Sequence, residues 1–134
     1  MITQYQKTRE ITRIQCLVVS EYQKTWWLLQ KDPSFSTGEI KQMCRNYQCI
    51  LEDSLTNTAL LIHILSSFSS SMTDRQRLKL ISNAEAKVYK NFKVLQHYNF
   101  HNGLISLQRA NTATQRNHIK LLYGLNHINQ LSHE

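Results

Sequence analysis

Glycine and proline are scarce in this chain, with three glycines and one proline among 134 residues. Sheets and loop-rich folds need turn residues at frequent intervals, so the scarcity argues against them and for a few long helices. No apolar run approaches the roughly 18 residues of a membrane span, and the strongest, Ala59 to Leu65, is broken by His63. The opening "MITQYQKTRE" is polar from its fourth residue and lacks an apolar h-region, so it does not read as a signal peptide. The chain is accordingly expected to be intracellular, or else the mature or trimmed part of something longer. Cys16, Cys44 and Cys49 show no CxxC spacing, which argues against a disulfide framework or zinc site and reads as packed or idle thiols.

Catalytic patterns are missing as well. The scattered glycines build no phosphate loop, and there is no GxSxG elbow or Cys–His pattern. Glu52 and Asp53 are neighbours on a helix and point about 100° apart, which is wrong for a general acid/base pair. His97 and His101 stand four residues apart, but "HYNFH" lacks the glutamate of HExxH and reads as solvated surface. His63, His118, His127 and His133 form no ligand cluster by spacing. No catalytic residue, cofactor or metal site is expected.

Helical periodicity is abundant. Ile11, Ile14, Val18, Tyr22, Trp26 and Leu29 recur at spacings of three and four, predicting a first helix over about 2–31 that Pro33 terminates. Ser36 and Glu39 form a capping box that opens a second helix over about 37–69. Its heptad seam runs through Ile40, Met43, Tyr47, Ile50, Ser54, Asn57, Leu61, Ile64 and Phe68. A second stripe of Leu51, Leu55, Ile62 and Leu65 predicts two neighbours, making this the central helix. The serines of "SSFSSSM" close it, and Thr73 with Gln76 opens a third helix over about 74–105, with Asp74 favouring its first turn. Gly103 is expected to bend that helix. Residues 108–118 hold nothing apolar larger than alanine and read as a helix extension or a loop; "IKLLYGL" then offers a last apolar turn, as an extension or short fourth helix to 124. The expected fold is one all-α domain over residues 1–134, an elongated antiparallel three-helix bundle of coiled-coil character.

The formal charge of +7 is unevenly placed. Lys and Arg balance Asp and Glu up to residue 74, so the excess falls wholly beyond it. Arg75, Arg77, Lys79, Lys87, Lys90, Lys93, Arg109, Arg116 and Lys120 form a candidate basic surface, suited to phosphate or acidic lipid and equally to a solvated helix face. Adjacent Trp26 and Trp27 cannot share one stripe, since helical neighbours diverge by about 100°. Trp26 belongs to the core. Trp27 reads either as a partner contact or as a cover over the "DPSF" turn, and with Phe35 it makes the candidate protein interface.

Read in order, "ITRIQCLVVSEYQKTWWLLQKDPSFSTGEI", "YQCILEDSLTN", "SSFSSSMTDRQRLKLIS", "NGLISLQRA" and "IKLLYGL" resemble the C-terminal two-thirds of the conjugative transposon protein TraI of Bacteroidetes mobile elements. The family carries an N-terminal signal and a further helical stretch before this region. The resemblance implies a non-enzymatic subunit of an envelope-spanning, type IV secretion-like DNA transfer apparatus, in the periplasm or cell envelope of a full-length protein bearing that signal. Its partners would be other conjugation proteins, with a second copy of the chain as a further candidate. The unrelated relaxase of the same name uses histidines separated by one residue, and no His-x-His occurs here. The alternative expectation is a basic DNA-binding accessory protein of a relaxosome, or a regulatory helical bundle.

Overall fold

The computed structural model describes residues 2–66 and 72–127. Four helices make up the order α1 (Ile2–Lys31), α2 (Thr37–Ser66), α3 (Asp74–Gln108) and α4 (Ala113–Leu122). The fold is an all-α bundle. Phe68, the serines at 67 and 69–71, and His133 lie outside the described residues.

Local chemistry sets the boundaries. α1 stops one residue short of the Asp32-Pro33 step, where the chain turns and the Ser34 amide donates to Asp32 Oδ1 at 2.9 Å. Glu39 N donates to Ser36 Oγ at 3.2 Å and Ser36 N to Glu39 Oε1 at 3.0 Å, the reciprocal box that opens α2. Thr73 and Gln76 form the same exchange at the start of α3. Thr112 caps α4, its hydroxyl accepting from the Gln115 amide. At the far end of α4, Gly124 adopts φ +69, and the Leu125 amide donates back to the Lys120 carbonyl at 2.7 Å. That is the long bond of a Schellman cap, which needs a left-handed residue where glycine stands.

The chain runs up, down and up. Lys7 meets Glu85, Glu21 meets Asn99 and Asp32 meets Ser106, so α1 and α3 are parallel. α2 descends between their ends, with Asn46 bonded to Tyr98 and Gln15 to Ser54. Ile11, Ile14 and Val18 of α1, Leu61 and Ile64 of α2, and Ile81, Ala84, Val88 and Leu95 of α3 form the dry interior.

The central helix is α3, not α2. α3 packs extensively along both other long helices, while α1 and α2 touch through few residues. The seam from Met43 to Ile64 is buried except for the half-buried Ile50, but in the second stripe Leu55 remains 69% and Ile62 59% exposed. Two apolar stripes show that a helix could take two neighbours; they do not show that the chain supplies the second. The polar seam residues Ser54 and Asn57 point inward and are buried. Ser54 donates to the Gln15 side chain, whose amide returns bonds to the Ser54 carbonyl at 3.0 Å and Thr58 Oγ1 at 2.7 Å.

Gly103 does not interrupt α3, which continues to Gln108. A Cβ there would lie 3.2 Å from Tyr123 Cβ and 3.3 Å from Leu125 Cδ1. Its role is a seat: lacking a side chain, it admits the segment after α4 against the helix.

Candidate functional site

The tryptophan pair divides as helical geometry requires. Trp26 packs against the core, and with Tyr22 and Tyr98 it surrounds the buried Tyr47 ring edge-on, at centroid separations of 5.5, 5.3 and 5.0 Å. The Tyr47 hydroxyl donates to Asn99 Oδ1, and burial raises its pKa. Asn99 in turn donates to the Glu21 carbonyl and side chain at 3.3 and 3.2 Å. One buried amide thus joins all three long helices.

Trp27 faces outward and is 57% exposed, with Lys31 Nζ 3.7 Å from its ring centroid. It forms one wall of a groove of about 670 Å³. Pro33 and Ser34 of the turn and His118, Ile119 and Leu122 of α4 are also part of its lining. Phe35 contributes nothing to this surface. It is buried at 8% exposure beneath Arg109, whose guanidinium carbon lies 5.4 Å from the ring centroid, and this corrects its expected place at an interface. The turn after Pro33 folds its one aromatic inward, where it joins the core cluster.

Two polar knots hold the groove in shape. Asp32 accepts from Ser34 N, and its Oδ2 accepts from Ser106 Oγ at 2.6 Å and Tyr123 Oη at 2.7 Å. Partial burial pushes the Asp32 pKa up, but the donors from Ser106, Tyr123 and Ser34 outweigh it and hold the carboxylate below its ordinary value. Tyr123 is shifted upward by its burial and by that same carboxylate. In the second knot Arg109 Nη1 and Nη2 grip Glu39 in a fork at 2.9 and 2.8 Å, and Nη1 also donates to the Ser34 carbonyl at 2.9 Å. The Arg109 donors and the Ser36 amide bring Glu39 down to about 2. Turn, α2, α3 and α4 are therefore cross-tied around Trp27.

The nine cations expected on one basic surface separate into groups. Arg75, Lys79, Lys87, Lys90 and Lys93 are exposed along α3. Arg77 is buried, because it lies one turn before Ile81 on the inward row, and it reaches Asp74 at 3.5 Å. Lys120 is also buried, since α4 turns Arg116, Ile119, Lys120 and Tyr123 toward the bundle; Arg116 is half-buried for the same reason. Arg109 is exposed but engaged with Glu39. Arg77 and Lys120 are thus corrected from surface to interior.

His97 and His101 are both exposed. Among the described residues no three His, Cys, Asp or Glu side chains gather as a metal site would need, and no helix is long and apolar enough to cross a membrane. Cys16 and Cys49 are exposed and Cys44 half-buried, all as free thiols. Sequence reasoning reached Trp27 through its phase but missed the Asp32 and Arg109 knots; the one available signal was the Asp32-Pro33 step, which reads only as a helix stop. Compared with family models, curated proteins and solved structures, the chain matches none.

Proposed function

We propose that this protein is a non-enzymatic interaction subunit of a conjugative DNA transfer apparatus, and that it engages a partner protein through the Trp27 groove. The machine is suggested by the ordered resemblance to the conjugative transposon protein TraI. The mode of action is supported by one observation above the others: a 57% exposed indole beside a preformed groove of about 670 Å³. Exposed tryptophans that line a concave, partly apolar surface are characteristic anchors of protein contacts. The groove is already braced by Asp32 and Arg109, so little ordering cost would be added on binding. Lys31 at its rim suits a partner segment with a carboxylate beside an apolar side chain.

The test is genetic and biochemical together. In cells carrying the element, a deletion complemented by Trp27→Ala should transfer at least about tenfold less than one complemented by the wild type, consistent with loss of a contact worth about 1.4 kcal/mol or more. Protein abundance and helicity should be unchanged. Wild-type transfer from the Trp27→Ala strain, or an isolated transfer complex that never contains this protein, would reject the reading.

A further inference from the structure

We infer that the outer face of α3 is a docking surface for the phosphate backbone of duplex DNA. This stands apart from the Trp27 groove, because different residues on a different face carry it.

The charge alone would be weak grounds, since many exposed lysines merely solvate a helix. What separates these cations from the others is that they are uncommitted and gathered on one face of one helix, whereas the equally unpaired Arg9, Lys24 and Lys41 are scattered over α1 and α2. Lys7 pairs with Glu85, Arg13 with Glu10, Arg77 with Asp74 and Arg109 with Glu39. Lys31 sits over Trp27 and Lys120 is buried. Arg75, Lys79, Lys87, Lys90 and Lys93 make no ion pair within 4.0 Å among the described residues.

Helical phase gathers these five. At about 100° per residue, Arg75 and Lys93 fall at the same angle, Lys79 and Lys90 lie within about 20° of each other, and Lys87 stands about 120° from Lys93. The fan covers the side of α3 opposite Ile81, Val88 and Leu95, over a length of roughly 27 Å. α3's own carboxylates lie elsewhere: Asp74 is engaged by Arg77, and the half-buried Glu85 by Lys7. Asp53 of α2 lines a groove together with Lys87 and Lys90 and is an acidic group beside this surface.

The remaining chemistry of the face selects the partner. A single strand would call for aromatic platforms on which bases stack. Here the residues sharing the fan are Asn83, Ala86, Val94 and His97, while Tyr89 is bonded to Glu10 and Phe100 stacks on His127. An acidic membrane would call for several large apolar side chains among the cations, and the fan holds one exposed, Val94, between the angles of Lys90 and Lys87. The major groove of B-DNA, about 12 Å wide, admits a helix, and cations fanned over about 120° can meet phosphates on both of its walls. The deep, narrow major groove of A-form RNA does not admit one.

Titration of the full chain against a fluorescein-labelled DNA duplex tests this. With four or five phosphates neutralised, affinity should fall roughly 150- to 500-fold between about 50 mM and about 200 mM salt. Joint substitution of Lys87→Glu, Lys90→Glu and Lys93→Glu should abolish binding at the lower salt. Should that variant fail to fold by circular dichroism, the neutral set Lys87→Gln, Lys90→Gln and Lys93→Gln should bind with a salt exponent smaller by about three. The exposed cations of α1 and α2 supply the control: Arg9→Glu, Lys24→Glu and Lys41→Glu change the net charge equally and should keep the steep salt dependence. Binding that is absent or flat with salt overturns the inference. So does equal loss in the control, or binding confined to vesicles of anionic lipid.

Discussion

The two ends of the bundle are held by different means. Near Ile11, Ile64 and Ile81 the helices meet through aliphatic side chains almost wholly removed from water. Near Asp32, Ser106 and Tyr123 they meet through hydrogen bonds that each accept one geometry. Aliphatic layers tolerate sliding and repacking at modest cost, whereas a carboxylate with three donors fixes a position. The apolar end supplies stability, and the polar end supplies the shape of the groove. The comparison implies that substitutions at the two ends should separate global unfolding from local rearrangement.

The largest expected effect lies at the apolar end. Ile81 is fully buried, so Ile81→Ala removes its packing and leaves a cavity in the centre of three helices. Urea denaturation should show a loss of about 2–5 kcal/mol with little change in m. A loss below about 1 kcal/mol would mean that this end is not the stabilising one.

Next comes Asp32→Asn. An amide keeps one acceptor but cannot hold all three donors as a carboxylate does. Partial exposure softens the effect, so about 1–2 kcal/mol is expected rather than the full value for a buried charged hydrogen bond. The diagnostic readout is protection of the α4 amides from hydrogen exchange, which should fall more than that of α1 or α3.

Acid should act on the same end, and also on Glu10 near the other, whose carboxyl the Arg13 and Tyr89 donors likewise hold down at about 2. The folded-state pKa values of Asp32 and Glu39 lie below their ordinary values, so the stability they contribute is present above those ordinary values and is lost as pH falls through the folded ones. For Glu39 that window runs from 4.5 down to about 2. Stability measured across it should decline in the wild type and decline less in Asp32→Asn and Glu39→Gln. An unchanged slope in both variants would assign the acid sensitivity elsewhere.

These contrasts also mark what could be read without coordinates. Helix limits were legible because single residues enforce them: Pro33 lacks an amide, and Ser36 and Thr73 cap. The inward row of α1 was legible through its period. The choice of α3 as the centre was not, because Leu55 and Ile62 belong to an apolar stripe whether or not a neighbour covers it. Arg77 and Lys120 read as surface through their charge, although long aliphatic stems let both be buried. Trp27 was found by phase alone. The rest of the groove was not, because Asp32 and Tyr123 are 91 residues apart and no periodic pattern links such a pair.

Gly103→Ala produces the smallest effect, and its sign decides how rigid the polar end is. Alanine improves helix propensity by about 0.8–1 kcal/mol in a helix interior. Against that, its Cβ would press on Tyr123 Cβ at 3.2 Å and Leu125 Cδ1 at 3.3 Å, closer than comfortable contact. Overpacking typically costs about 1–3 kcal/mol when the neighbour cannot move. Tyr123 is tethered by its hydroxyl to Asp32, and Leu125 by its amide to the Lys120 carbonyl, so neither yields freely. The net change should be a destabilisation of about 0–2 kcal/mol, with a shift in the tryptophan fluorescence, to which Trp27 contributes beside Trp26, as α4 moves outward. In the Asp32→Asn background Tyr123 is freer to retreat, and the same alanine should become neutral or stabilising. A double-mutant cycle with no coupling between positions 32 and 103 would show that the hydrogen bonds do not set the position of α4.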